Sequence, residues 1–127
     1  RIARHRAERP AAWATVEEQH DLAGALAGAG DEFAIVDCLT TWVGNLMFRG
    51  DDPAAIESAS ERAIHAARSR STPTVVITNE VGLGIVPENP LGREYRDVLG
   101  RVNQQWAAAA DRALFLVAGK ALRLEDP

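Results

Sequence analysis

Cysteine, lysine and long apolar runs are what this sequence has least of. The single cysteine, Cys38, has no partner within the chain, which excludes a disulfide-built module and a multi-cysteine zinc cluster and fits a reducing, cytoplasmic compartment. No apolar run approaches the roughly 20 residues of a spanning helix, and the arginine-bearing start has no signal-peptide core, so no membrane span or secretion is expected. Lysine occurs once, at Lys120, among 14 basic residues. It cannot complete a phosphate loop of the form G-x-x-x-x-G-K-[ST], because Leu114 stands at the first glycine position and Ala121 follows the lysine. An excess of positive charge is also missing. The net charge of −4 disfavours nucleic acid as the main partner, although Arg1, Arg4, Arg6 and Arg9 form a local basic cluster. The first residue is arginine and not methionine, and the chain is expected to be part of a longer product.

What is present is 127 residues at 46% apolar and 25% charged, the balance of one globular domain, assigned here to residues 1–127. The arginine-rich start reads as a helix tail or basic loop ending at Pro10, and Trp13 to Glu17 reads as a short extended piece. A small helix is expected from Asp21 to Ala27. Phe33 to Val36 and Thr74 to Thr78 are β-branched apolar runs that end in polar residues, the pattern of parallel strands buried on both faces. Between them, Leu39 to Phe48 predicts one helix. Asp52-Pro53 starts another, whose apolar face holds Ile56, Ser60, Ala63, Ile64 and Ala67 and which ends near Ser69. Asn89-Pro90 repeats that start, and Leu91, Tyr95, Val98, Leu99, Val102, Trp106 and Ala109 follow at helical spacing. A third strand run spans Ala113 to Val117. Strands alternating with helices predict an α/β fold with a mostly parallel sheet and flanking helices.

Ligands of such sheets collect beyond the carboxyl ends of the strands, which makes Asp37, Asn79, Glu80 and the apolar, glycine-containing loop from Val81 to Asn89 site candidates. An apolar strand ending in Asp37 is how P-loop hydrolases present the acid that holds Mg²⁺, and it is also a common way for a buried strand to end. Near the amino end, a neutral His5 among Arg4, Arg6 and Arg9 has the chemistry to attack phosphorus while guanidinium groups bind phosphate oxygens. A solvated basic helix end is the alternative. His20 and His65 are expected on exposed helical surfaces.

The stretch Asn79-Glu80-Val81-Gly82-x-Gly84-Ile85-Val86-Pro87 is followed by Arg93-x-x-Arg96-Asp97-x-x-Gly100-x-x-Asn103-Gln104 and by Ala108-x-Ala110-Asp111. Together with Arg1-Ile2-x-x-His5-Arg6-x-x-Arg9-Pro10-x-x-Trp13 and Asp37-Cys38-Leu39-Thr40, these motifs closely resemble the bifunctional adenosylcobinamide kinase/adenosylcobinamide-phosphate guanylyltransferases of cobalamin biosynthesis. The resemblance implies a P-loop NTPase, RecA-like fold, a homotrimer, and Mg²⁺ with GTP, or ATP for the kinase step. It implies phosphorylation of adenosylcobinamide and then transfer of GMP to adenosylcobinamide phosphate, giving adenosyl-GDP-cobinamide and pyrophosphate. By the same resemblance His5 carries the GMP, with nucleotide contacts at Arg6, Ala7, Glu8, Arg9, Glu17 and Asp37. Asp37 is then the Mg²⁺-linked acid; Asn79 and Glu80 are candidates for a substrate loop, Glu80 either orienting the cobinamide hydroxyl or simply ending its strand. The family's first strand and phosphate loop are absent from this chain. A P-loop kinase without a covalent histidine step is one competing reading, and a non-catalytic nucleotide-binding or assembly module is the other.

Overall fold

The computed structural model describes residues 2–126, apart from the side chains of Ile2 and His5. In chain order it contains α1 (Ile2–Glu8), α2 (Leu22–Gly28), β1 (Ala34–Asp37), α3 (Leu39–Arg49), α4 (Pro53–Arg68), β2 (Thr74–Ile77), α5 (Pro90–Ala109), β3 (Ala113–Val117) and β4 (Lys120–Leu124), with a single 3₁₀ turn at Val81–Leu83. This is a mixed α/β arrangement built on a small parallel sheet. Strands β1 and β2 pair in parallel from Ala34 opposite Thr74 to Asp37 opposite Ile77. The chain crosses from one to the other through α3 and α4, as parallel pairing requires.

Local chemistry fixes where these elements begin. The Asp52 carboxylate accepts from the backbone N–H of Ala55 at 2.8 Å, and the Asn89 side-chain oxygen accepts from that of Gly92 at 2.6 Å. In both helices proline follows the cap at the first helical position, where its missing N–H costs nothing. Helix α3 stops at Gly50, whose φ of 101° closes the last turn onto the carbonyls of Leu46 and Met47.

Three helices cover one face of the parallel pair. Leu39, Trp42, Val43 and Leu46 of α3, Ile56 of α4, and Val98, Leu99 and Val102 of α5 form the core, and Val36 and Val76 pack against it from the sheet. Alternate strand residues point the other way. Ile35, Val75 and Ile77 are 42%, 46% and 43% exposed, so the expectation of strands buried on both faces is corrected: the described helices cover only one.

Two other expectations change. The third apolar run does not join the parallel pair. Among the described residues β3 pairs only with β4, antiparallel, from Ala113 opposite Leu124 to Val117 opposite Lys120. The connecting residues Ala118 and Gly119 have φ of 50° and 71°, the two-residue turn with positive φ at both positions that matches strand twist in hairpins. Residues 13–17 form no strand; the Trp13 N–H donates to the Pro10 carbonyl at 3.0 Å and closes a turn instead.

Candidate functional site

Polar chemistry gathers in two places. The first is the segment before α2, in which every described side chain from Ala3 to Gln19 is exposed. Its base is anchored to the helical layer. The indole N–H of Trp42 donates to the His20 carbonyl at 2.9 Å, and the Asn45 amide donates to that of Gln19 at 3.4 Å. The Glu18 carboxylate accepts from the backbone N–H groups of His20 and Asp21, which holds its pKa below the ordinary range.

Within this segment the chain folds back after α1. The Arg6 guanidinium reaches the Glu17 carboxylate, and Arg9 donates to the Thr15 hydroxyl at 3.1 Å. Arg6, Arg9, Pro10, Ala11, Trp13, Thr15 and Glu17 thereby line an open hollow of about 460 Å³. Two guanidinium groups and one carboxylate share it. The structure thus brings together three of the predicted nucleotide contacts, Arg6, Arg9 and Glu17. The other two contacts of the basic stretch, Ala7 and Glu8, lie on α1 outside the lining, and Glu8 pairs with Arg4 at 3.4 Å. His5 occupies the turn of α1 beside Arg6; its side chain lies outside the described residues.

The second place is the carboxyl end of the parallel pair. Asp37 ends β1 as an exposed carboxylate, and Asn79 and Glu80 follow β2. A hydrogen-bonded network ties these ends together. The Thr40 hydroxyl donates to Asn79 Oδ1 at 2.9 Å and accepts from the Asn79 N–H at 3.0 Å. The Asn103 amide donates to the Asn79 carbonyl at 3.0 Å, while its oxygen accepts from the Thr78 hydroxyl at 2.7 Å. The Tyr95 hydroxyl donates to the Thr40 carbonyl at 2.9 Å, and burial pushes the Tyr95 pKa up, with the nearby Cys38 adding to the shift. Glu80 itself is turned to local work: its carboxylate accepts from the Gly82 N–H at 3.3 Å and caps the 3₁₀ turn. Arg96 donates to the Gly82 carbonyl at 2.9 Å, and Arg93 to that of Pro87 at 3.1 Å, so α5 clasps the loop from both ends.

No hydrogen bond or ion pair among the described residues joins Arg6, Arg9 or Glu17 to Asp37, Asn79 or Glu80. Sequence reasoning placed no role on Asn103, Thr78 or Tyr95. The signal was there for Asn103: an amide on the apolar stripe of α5, next to Val102 and one turn from Leu99, needs buried partners. His65 is exposed on α4 as expected. The expectation for His20 is corrected, because it precedes α2 and is half-buried against a hollow shared with Trp42, Arg49 and Asp51.

Mg²⁺ is bound in proteins by one or two carboxylates, with phosphates and waters completing the shell. Among the described residues no group of three or more histidine, cysteine or acidic side chains gathers as a metal site. Asp37, exposed at a strand end, fits the lesser demand of one carboxylate beside bound phosphates. No helix among the described residues is long and apolar enough to cross a membrane.

Comparison with known proteins agrees with the motifs. A family model described as cobinamide kinase/cobinamide phosphate guanyltransferase matches residues 1–124. The bifunctional adenosylcobalamin biosynthesis protein CobU of Salmonella typhimurium is 40% identical over 98% of this chain and 77% of its own length. That of Escherichia coli is 39% identical over the same shares, and CobP of Pseudomonas aeruginosa is 38% identical over 98% of this chain and 73% of its own. With a family match over residues 1–124 and relatives at this identity, the chain belongs to the cobinamide kinase/cobinamide phosphate guanyltransferase family of enzymes.

Proposed function

We propose that this chain acts in cobalamin biosynthesis as a GTP-dependent adenosylcobinamide kinase and adenosylcobinamide-phosphate guanylyltransferase that works through a histidine-GMP intermediate. The observation that carries the reading is the hollow in which Arg6, Arg9 and Glu17 converge next to the position of His5 in α1. In the first reaction the side-chain hydroxyl of adenosylcobinamide attacks the γ-phosphorus of GTP, or of ATP, releasing the nucleoside diphosphate and the hydroxyl proton. In the second, an imidazole nitrogen of His5 attacks the α-phosphorus of GTP and pyrophosphate leaves. A phosphate oxygen of adenosylcobinamide phosphate then attacks the same phosphorus, the phosphorus–nitrogen bond breaks, and adenosyl-GDP-cobinamide is released.

Each displacement concentrates negative charge on equatorial oxygens, which the Arg6 and Arg9 guanidinium groups are suited to offset as bidentate donors. Arg6 is already held by Glu17, but an exposed ion pair is worth only about 0–1 kcal/mol, so exchanging it for a phosphate costs little. That exchange frees the Glu17 carboxylate, an acceptor for the N1–H and N2–H donors of guanine. Asp37 would hold Mg²⁺, which supplies charge neutralisation at the phosphates when bound. Asn79, held by Thr40 and Asn103, and Glu80, held to the Gly82 N–H, form the substrate loop. The bare apolar outer face of β1 and β2 supports a P-loop, RecA-like sheet in which further strands and helices complete the layer. Residues 1–127 are read as a single α/β domain, cytoplasmic, in a homotrimer.

The test is direct. Incubated with GTP and Mg²⁺, the full chain is expected to gain the mass of one GMP, in an acid-labile bond lost in His5→Ala. An unchanged mass with persisting adenosylcobinamide phosphorylation would leave a kinase without the covalent step, and loss of both would leave a nucleotide-binding module.

A further inference from the structure

Of the three tryptophans, two serve packing and one does not. Trp42 is 6% exposed in the core, and Trp106 packs against that core from α5. Trp13 is 56% exposed, on a segment whose other described side chains are also exposed, and it lines the hollow shared by Arg6, Arg9 and Glu17. Leaving so large an apolar ring in water forfeits burial that most tryptophans obtain. The ring is not on a loose loop end. The hydrogen bond from the Trp13 N–H to the Pro10 carbonyl fixes its backbone, and Arg9 to Thr15 closes the chain on either side of it. The hollow therefore offers three chemistries at once: cationic donors, one carboxylate acceptor and an aromatic face. A nucleotide presents the complement, with anionic phosphates, a base edge carrying N–H donors and a flat π-surface.

We infer that Trp13 is the base platform of this site, stacking its indole on the purine of the bound nucleotide and so holding the α-phosphorus at a fixed distance from α1. The inference rests on the proposed function for the nucleotide and adds the group that positions it. Stacking tolerates any base, so Trp13 contributes affinity and orientation, while discrimination falls to hydrogen bonding at the base edge.

The experiment titrates the full chain with GMP and follows tryptophan emission. Trp13, exposed, emits to the red of Trp42 and Trp106, and stacking is expected to quench that red component. Trp13→Ala should weaken GMP binding about tenfold or more, the usual loss for a deleted base–aromatic stack. Trp13→Phe keeps a flat ring and should bind within about threefold of the original while losing the quench. Because the side chain is exposed, both variants should melt at the original temperature. GMP binding to Trp13→Ala within twofold of the original, or an unquenched red component at saturating GMP, would overturn the platform. Failure of the function reading looks different: a Trp13-dependent GMP affinity without any covalent adduct on His5 would remove the guanylyltransferase chemistry and leave the platform standing. A chain that binds no GMP at all would end both.

Discussion

Asn103 shows how much a single buried amide can hold. It sits 9% exposed on the core side of α5, takes the Thr78 hydroxyl and gives its own N–H to the Asn79 carbonyl. Replacing it by leucine keeps the branched shape and strands both partners. Asn103→Leu is therefore expected to lower unfolding free energy by about 1–3 kcal/mol in urea titration. Tyr95 carries a pH consequence. Its pKa is raised from 10.0 by burial first and Cys38 second, so the folded state favours the neutral phenol. The associated stability is fully present below pH 10.0 and is lost as pH rises through the elevated folded value. Thermal melts should show that alkaline loss, and Tyr95→Phe should reduce it, at a cost of about 1 kcal/mol near neutrality for the hydrogen bond to Thr40. Glu17→Gln makes the opposite contrast. Its pair with Arg6 is exposed, so the melting temperature should hold, whereas GTP affinity measured by calorimetry should fall about tenfold if the carboxylate reads the base edge.

Helix starts are where sequence and structure agree most closely, because a cap is decided within four residues. Asp52-Pro53 and Asn89-Pro90 were readable as starts, and each side chain accepts the N–H three residues on. Asp52→Ala should cost about 1 kcal/mol in thermal or urea unfolding. The hairpin of β3 and β4 was not readable in the same way. Ala118-Gly119 marks the end of a strand, yet alanine at positive φ is an unusual turn residue, and nothing in Lys120 to Leu124 announces a strand that no described residue covers. Asparagine adopts that φ more readily, so Ala118→Asn should stabilise the hairpin by about 0.5–1 kcal/mol, seen as a raised melting temperature. The network of Thr40, Thr78, Asn79 and Asn103 was legible only in part. Asn79 announced itself by following a strand, whereas its partners lie on α3 and α5 and meet it only when those helices pack on the same face.

At the scale of the whole molecule, one helical layer holds one face of a small parallel sheet. Leu46 is fully buried in that layer, and Leu46→Ala should destabilise by about 2–5 kcal/mol in urea unfolding, the range for a core leucine that leaves a cavity. The opposite face keeps Ile35, Val75 and Ile77 half in water. By itself the sequence determined helices α2 to α5, the caps at Asp52 and Asn89, the apolar strand runs, and the order of motifs that places the chain in its family. Each of those is either local, set within one or two turns by side-chain spacing, or is carried directly by residue identity. Only the tertiary structure decided that β3 turns back onto β4, that one sheet face is covered and the other bare, and that Arg6 and Arg9 close with Glu17 around a hollow containing Trp13. The physical reason is that strand pairing uses backbone groups common to every residue, and chain reversal brings together side chains that share no periodicity. Neither leaves a mark in the spacing of apolar and polar residues.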